Sequence, residues 1–340
     1  MAENSFNKIK KDVEKTDKIK KNVILYKDFM AKELPPNKWV VDDLIPEGMT
    51  ILSSVPGHFK TYILLALSKQ ISKGEKGFGH FETEERNVLF INEEMSEKSM
   101  QDRLKTLDGD VGNIYFTNLL GIKLDDMAVL LEICKEKEIT LVIFDSLTRI
   151  HNLTENDASD VKKIFEAILM LLRESISVVM THHHRKTPLF GARSGSDEMR
   201  GSTDLLAQID CHIAIDTVSR DKTYMVIRQL KLRQAENIED FKLNIERNRE
   251  ENKVSFTYKG RFSEEDALNI KIEENKKAIL VVITETPGIT KQGIMKQTAG
   301  KVGQMAVSAT IRELEKKEVI YCKTQKPKTY YIKEEIEALL

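Results

Sequence analysis

Four short stretches place polar residues where phosphate chemistry can use them. "SSVPGHFKT" (53–61) ends in Lys60 and Thr61, an ammonium and a hydroxyl at the spacing of the phosphate-cradling pattern G-x-x-x-x-G-K-[ST]. Only those two positions match, because Ser54 and Phe59 stand where the pattern has glycine. Pro56 and Gly57 still predict a sharp turn, and the loop through His58, Phe59 and Tyr62 is expected to line the phosphates with backbone N–H groups. In that arrangement Lys60 reaches the β- and γ-phosphates and Thr61 holds Mg²⁺. Phe59 fits if it takes an ordinary helix-start conformation; a left-handed φ there costs about 1–2 kcal/mol. "NVLFINEEMS" (87–96) carries Glu93 and Glu94, placed to act as general base toward a water. "ITLVIFD" ends in Asp145, a hard carboxylate suited to the same Mg²⁺, and "ISVVMTHHH" reaches His182 and His183.

These residues need strands that deliver them to one place. Near-continuous apolar runs at 49–54, 87–92, 113–117, 139–145 and 176–182 predict strands buried on both faces. Segments between them repeat apolar residues at spacings of three and four, the pattern of helices. That alternation predicts an α/β fold with a mainly parallel sheet flanked by helices. In such a sheet the residues after successive strands converge on one crevice at the carboxyl edge. "QIDCHIAI", "TYMVIRQLK", "DFKLNIER" and "KVSFTY" follow without intervening helices and predict an antiparallel meander. Three divisions are expected: a charged arm over 1–37, the α/β unit over 38–260, and a smaller unit over 265–340.

The chain has 340 residues, 31% of them charged, with a formal net charge of -1, so any nucleic-acid surface must be local. Cys134, Cys211 and Cys322 lie far apart without metal-ligand spacing, which suits reduced thiols in a cytoplasmic protein. No apolar run approaches the length needed to span a bilayer, so no membrane role is expected. The three histidines 182–184 alternate across a strand and cannot all ligate one ion.

The ordered set of segments over 38–258 resembles the RecA-like ATPases, and within them the RepA-type and DnaB-like helicases of the AAA_25 kind. "VVDDLIPEGMTILSSVPGHFKT" is similar to their lead-in and Walker A segment, and "LVIFDSLTRI" to their Walker B, giving Asp145. "NEEMS" is similar to the segment that carries the catalytic glutamate, which the resemblance assigns to Glu94. "MTHHHRK" resembles the segment whose histidine senses the γ-phosphate, His182 or His183 here. "MRGSTDLLAQID" matches an Arg-Gly-Ser segment at Arg200, and "QLKLRQ" a Lys-x-Arg finger acting on a neighbouring subunit, at Lys231 and Arg233. The resemblance implies ATP and Mg²⁺ as ligands, a homo-oligomer such as a hexameric ring, and DNA as partner.

Residues 185–202 hold three glycines and several positive charges; they read as a surface loop or as a DNA-contacting loop through Lys186, Arg193 and Arg200. Residues 271–334 carry 13 Lys and Arg against 7 Glu, a net charge of +6, and resemble a winged helix-turn-helix. There Val307, Ile311 and Leu314 are expected in a core, Gln304, Ser308 and Arg312 on a face open to DNA, and Lys326 and Lys328 at a wing tip. The expected function is an ATP-dependent DNA helicase or translocase in replication of a plasmid, virus or mobile element. The alternatives are a recombinase-like or KaiC-like ATPase without unwinding, and a nucleotide-sensing DNA-binding regulator.

Overall fold

The structure is a computed structural model that describes residues 16, 20–55, 57, 59–107, 109–154, 157–183, 203–217, 224–248, 250–325 and 327–333. It contains two compact units, Met1–Lys38 and Trp39–Leu340. In the first, a short helix α1 (Tyr26–Met30) buries none of its residues. Val23, Leu25, Tyr26, Met30 and Leu34 are all exposed.

The second unit opens with a small hairpin, β1 (Trp39–Val41) and β2 (Ile45–Pro46). It continues with β3 (Met49–Ser54), α2 (Lys60–Ile71), β4 (Asn87–Asn92), α3 (Glu97–Thr106) and β5 (Ile114–Asn118). Then come α4 (Met127–Glu136), β6 (Ile139–Asp145), α5 (Ala158–Leu172) and β7 (Ser177–His183). The last part of the sheet follows: α6 (Thr203–Gln208), β8 (Cys211–Thr217), β9 (Tyr224–Leu232), β10 (Phe241–Asn248) and β11 (Lys253–Arg261). Among the described residues nine strands form one sheet in the order β11-β10-β9-β8-β3-β7-β6-β4-β5.

β3, β4, β5, β6 and β7 pair in parallel, as their apolar runs predict. Every residue of β3 is buried, and so are all but one of β7. β8 departs from the predicted meander: it pairs antiparallel with β9 but parallel with β3, so it extends the parallel core by one strand. Its connection through α6 supplies the crossover that a parallel pair requires. One core lies between the sheet and α2, with Ile63, Leu64, Leu67, Val88, Phe90, Leu141 and Ile143. A second lies on the opposite face under α4 and α5, with Leu130, Val142, Phe144, Ile164 and Ile168. Burial on both faces is the physical reason these strands read as continuous rather than alternating hydrophobic runs.

Past β11, Ser263 caps α7 (Glu264–Glu285) in a capping box with Asp266, whose carboxylate also receives Lys242 at 3.0 Å. β12 (Ile289–Thr290), α8 (Lys291–Gln297), α9 (Gln304–Lys316), β13 (Ile320–Gln325) and β14 (Lys328–Ile332) complete the chain. β12, β14 and β13 form a three-stranded antiparallel sheet. Val307, Ile311 and Leu314 of α9 pack there with Ile279, Ile283, Ile294 and Tyr330. No helix among the described residues is long and apolar enough to cross a membrane.

Candidate active site

Strand parity decides which side chains meet. Successive residues of a strand face opposite sides of its sheet. Leu52, Phe90, Ile143 and Val179 lie in the core beneath α2, whereas Ile51, Ile91, Phe144 and Met180 lie in the opposite core. Carrying that alternation to the strand ends puts Ser54, Asn92, Asp145, Thr181 and His183 on the α2 side. Ser53 and His182 fall on the other. α2 begins at Lys60, directly above the first group.

The contacts follow this parity. The Thr61 hydroxyl donates to Asp145 Oδ2 at 2.7 Å, and the Thr181 hydroxyl donates to Asp145 Oδ1 at 2.6 Å. Lys60, only 8% exposed, donates from Nζ to Ser54 Oγ at 3.0 Å and lies 3.2 Å from His183 Nδ1. The Ser146 hydroxyl donates to Glu94 Oε1 at 2.5 Å, and the Asp145–Ser146 peptide is cis. Asn92 holds the turn that carries Glu94: its Oδ1 accepts the N–H groups of Glu94 and Met95, and its Nδ2 donates to Met95 O. An ammonium, two carboxylates and a hydroxyl thus converge at the carboxyl edge of β3, β4, β6 and β7.

Burial sets the electrostatics. It pushes the Asp145 carboxyl above its usual range; hydrogen bonds from Thr181 and Thr61 oppose it, Glu94 adds to it and Lys60 offsets it. Burial also lowers the Lys60 ammonium, against the pull of Asp145 and Glu94. Both charges are therefore held at a cost that opposite charge can relieve. Thr61 and Asp145 offer hard oxygen donors side by side, a donor set that fits Mg²⁺, which binds through one or two carboxylates together with phosphate oxygens and water. The first N–H groups of α2 have no intrahelical acceptors and suit an anion.

Phe59 does not take the ordinary helix-start conformation. It sits in the left-handed region at φ 56°, ψ 9°, close behind Gly57 at φ 81°. The chain therefore keeps the left-handed turn that glycine normally supplies, at a backbone cost of about 1–2 kcal/mol. Its ring recovers part of that by packing edge-on against Tyr62, centroids 6.4 Å apart, with the Arg247 guanidinium 5.9 Å above it. Tyr62 in turn packs on Phe256 and hydrogen-bonds to Thr106.

Several expected site residues sort differently. Glu93 accepts the N–H groups of Gly121 and Ile122, which engages both of its oxygens and leaves Glu94 as the carboxylate facing the cluster. His182 is 1% exposed and on the far face, so the histidine beside Lys60 is His183. Thr181 has no place in the motif reading; the parity of β7 with Asp145 is the signal that finds it. Lys231 and Arg233 lie near the opposite, amino end of the sheet: Lys231 pairs with His212, and β3 reaches Ser54 only opposite Ile215. Three residues of strand separate these levels by about 10 Å.

Pro56, His58, Lys186, Arg193, Arg200 and Lys326 lie outside the described residues. In the carboxyl-terminal part, Gln304 and Arg312 are exposed and Ser308 is half-buried, with its hydroxyl on Gln304 O. Lys328 is exposed and 3.3 Å from Glu315. Among the described residues no group of three or more His, Cys, Asp or Glu side chains forms a metal cluster.

The AAA domain family AAA_25 matches residues 17–188 of the 340. The chain belongs to this family. It is accordingly a P-loop NTPase, and the AAA-type domain supports ATPase activity with ATP and Mg²⁺, the ligands that P-loop NTPases generally use. The AAA_25 match ends at residue 188 and so spans the Lys60, Glu94, Asp145 and His183 positions but not Lys231 and Arg233. No curated protein matches the chain. Among solved structures it is similar to a KaiC-like protein from the hyperthermophilic archaeon Pyrococcus horikoshii, at 14% identity and a TM-score of 0.43, over 66% of this chain and 98% of that one.

Proposed function

We propose that this AAA_25 protein is a RecA-like, ATP-dependent DNA helicase or translocase of the RepA-like type, acting as a homo-oligomeric ring in replication of a plasmid, virus or mobile element. One observation carries the reading: the ammonium, hydroxyl and two carboxylates of Lys60, Thr61, Asp145 and Glu94 meet at one edge of the sheet, while Lys231 and Arg233 stand at the other. Phosphoryl transfer needs positioned groups and stabilised charge more than covalent help. Lys60 neutralises the β- and γ-phosphates. Thr61 and Asp145 would hold Mg²⁺, and the ion, when bound, would supply charge stabilisation to the transferring phosphoryl group. Glu94, held by Asn92 and Ser146, takes the proton of the attacking water. His183, next to Lys60, is placed to read the γ-phosphate.

Lys231 and Arg233 lie too far along the strand to serve this chain's own phosphates. They supply the finger to a neighbour, and a heterologous contact of that kind repeats until it closes into a ring or runs on as a helix. The part from 265 onward is the winged-helix unit of this reading. The exposed Gln304 and Arg312 of α9 and Lys328 of the β13–β14 hairpin present it to DNA. In this reading residues 1–37 precede the ATPase unit of 38–260.

The test is ATP turnover against protein concentration, with and without single-stranded DNA, followed by strand displacement. Specific activity that rises with assembly and with DNA, and duplex unwinding driven by ATP, supports the helicase. DNA-stimulated turnover in helical filaments without unwinding moves the reading to a recombinase-like ATPase. Turnover that is independent of dilution removes the shared site.

A further inference from the structure

Lys231 and Arg233 are not idle in the chain as it stands. Lys231 Nζ donates to Leu206 O at 2.6 Å and to Ala207 O at 3.2 Å. Arg233 Nη2 donates to Ala207 O at 2.7 Å and to Gln208 O at 3.3 Å. These carbonyls are the last of α6, acceptors that no later turn of that helix can satisfy. Arg233 Nη1 also meets Asp210 Oδ1 at 3.1 Å, and Asp210 Oδ2 accepts the N–H of Met49, the first residue of β3. Gly48, at φ 121°, leaves the room for that carboxylate, because a Cβ there would overlap it. The two cations thus tie the end of α6 to the start of the strand that leads into the Lys60 loop.

We propose that this cap and the neighbour's triphosphate are mutually exclusive partners of Lys231 and Arg233, so that engagement of a nucleotide-filled neighbour releases the carboxyl end of α6. The inference rests on the finger reading given above. Both Nη2 hydrogens are on the Ala207 and Gln208 carbonyls, and the hydrogens left on Nε and Nη1 do not form one fork, so a bidentate grip on phosphate requires Arg233 to leave the cap. Triphosphate oxygens outcompete the neutral Ala207 and Gln208 carbonyls, since charge-assisted hydrogen bonds are the stronger ones, and they carry more negative charge than the single Asp210 carboxylate. Arg233 has a side chain 52% exposed, so it can swing outward without unpacking a core. Lys231 is held less easily: burial and the neighbouring Arg233 lower its ammonium, and an anion would offset that penalty. α6 has only six residues and keeps Leu205 in the core, so its last turn depends on the cap. It is also the next element after residues 185–202, which carry Lys186, Arg193 and Arg200. Nucleotide state at one interface is thereby passed to the chain that follows the candidate DNA segment.

Hydrogen–deuterium exchange over residues 203–210 tests this on the full chain, comparing nucleotide-free protein with protein assembled on Mg²⁺ and a non-hydrolysable ATP analogue, the assembly followed by sedimentation. The expected result is at least tenfold faster exchange at Leu206–Gln208 in the assembly. Arg233→Ala should show the faster exchange already without nucleotide, with the rest of the sheet as protected as in the parent. Unchanged or slower exchange in an assembly whose ATP turnover is lost in Arg233→Ala overturns the release and leaves the finger standing. Full turnover by assembled Arg233→Ala removes the finger, and the release falls with it.

Discussion

The two ends of the central sheet carry similar side chains in different circumstances. At the carboxyl edge, Lys60 and Asp145 are 8% and 1% exposed, and hydrogen bonds from Thr61, Thr181 and to Ser54 fix them in place. At the amino edge, Arg233 is half exposed and shares its hydrogens between Asp210 and helix carbonyls. Buried charge is expensive unless it is paired or hydrogen-bonded; the exposed cation is cheap to hold and can exchange partners. The comparison separates a buried, hydrogen-bonded cluster from a half-exposed contact. It also predicts that substitutions at the first edge trade stability against activity, whereas those at the second change activity with little effect on folding.

The largest effect is expected at Glu94. Glu94→Gln keeps the hydrogen bond from Ser146 but loses the base, so steady-state ATP turnover should fall by about 10²–10⁴-fold with nucleotide binding retained. Equal turnover would take Glu94 out of the reaction. Lys60→Met should lower kcat by about 10²–10³-fold and weaken nucleotide binding as well, read by fluorescent-nucleotide titration. Arg233→Ala should match these losses in turnover with only a small drop in thermal midpoint, from the lost cap on α6; a large drop would make Arg233 structural and erase the contrast between the edges.

Smaller effects concern the carboxyl edge alone. Asp145 has a raised carboxyl in the folded chain, so the unfolded chain gives up that proton first as pH rises. Stability is thus lost as pH climbs from the unfolded value of about 3.8 through the higher, folded one. Asp145→Asn should therefore raise the thermal midpoint at pH 7, by less at pH 4, while abolishing turnover; an unchanged or lower midpoint at pH 7 would show that the carboxylate is not strained. At Phe59 the left-handed backbone predicts an inverted preference. Phe59→Gly should be more stable than Phe59→Ala by about 1 kcal/mol in urea unfolding, because both lose the ring and only glycine escapes the φ penalty.

Much of the carboxyl edge was legible in the sequence. Lys60, Glu94 and Asp145 each follow a continuous apolar run, and parallel strands must end on the same side, so their meeting needed no tertiary detail. The strand parity that favours His183 over His182 and adds Thr181 depends on which residue of β7 stands beside Asp145, and register is a property of pairing rather than of either segment. Phe59 was open in sequence because a helix start and a left-handed turn share the same residue. The cap on α6 could not be read at all: Lys231 and Arg233 reach carbonyls about 25 positions earlier, which carry no side-chain signature. The parallel placement of β8 was hidden for a similar reason, since its apolar run is the same whichever way its neighbour points.

Mixing two inactive variants probes the proposed shared site most directly. Glu94→Gln and Arg233→Ala each spoil one side of every interface, but a Glu94→Gln subunit still offers Arg233 to an Arg233→Ala subunit that still has Glu94. Equimolar co-assembly should restore ATP turnover to about a quarter of the parent value, the share of interfaces in which both intact halves meet. Turnover that stays at the level of the separate variants, in mixtures shown by sedimentation to have co-assembled, would contradict an active site built from two copies of the chain.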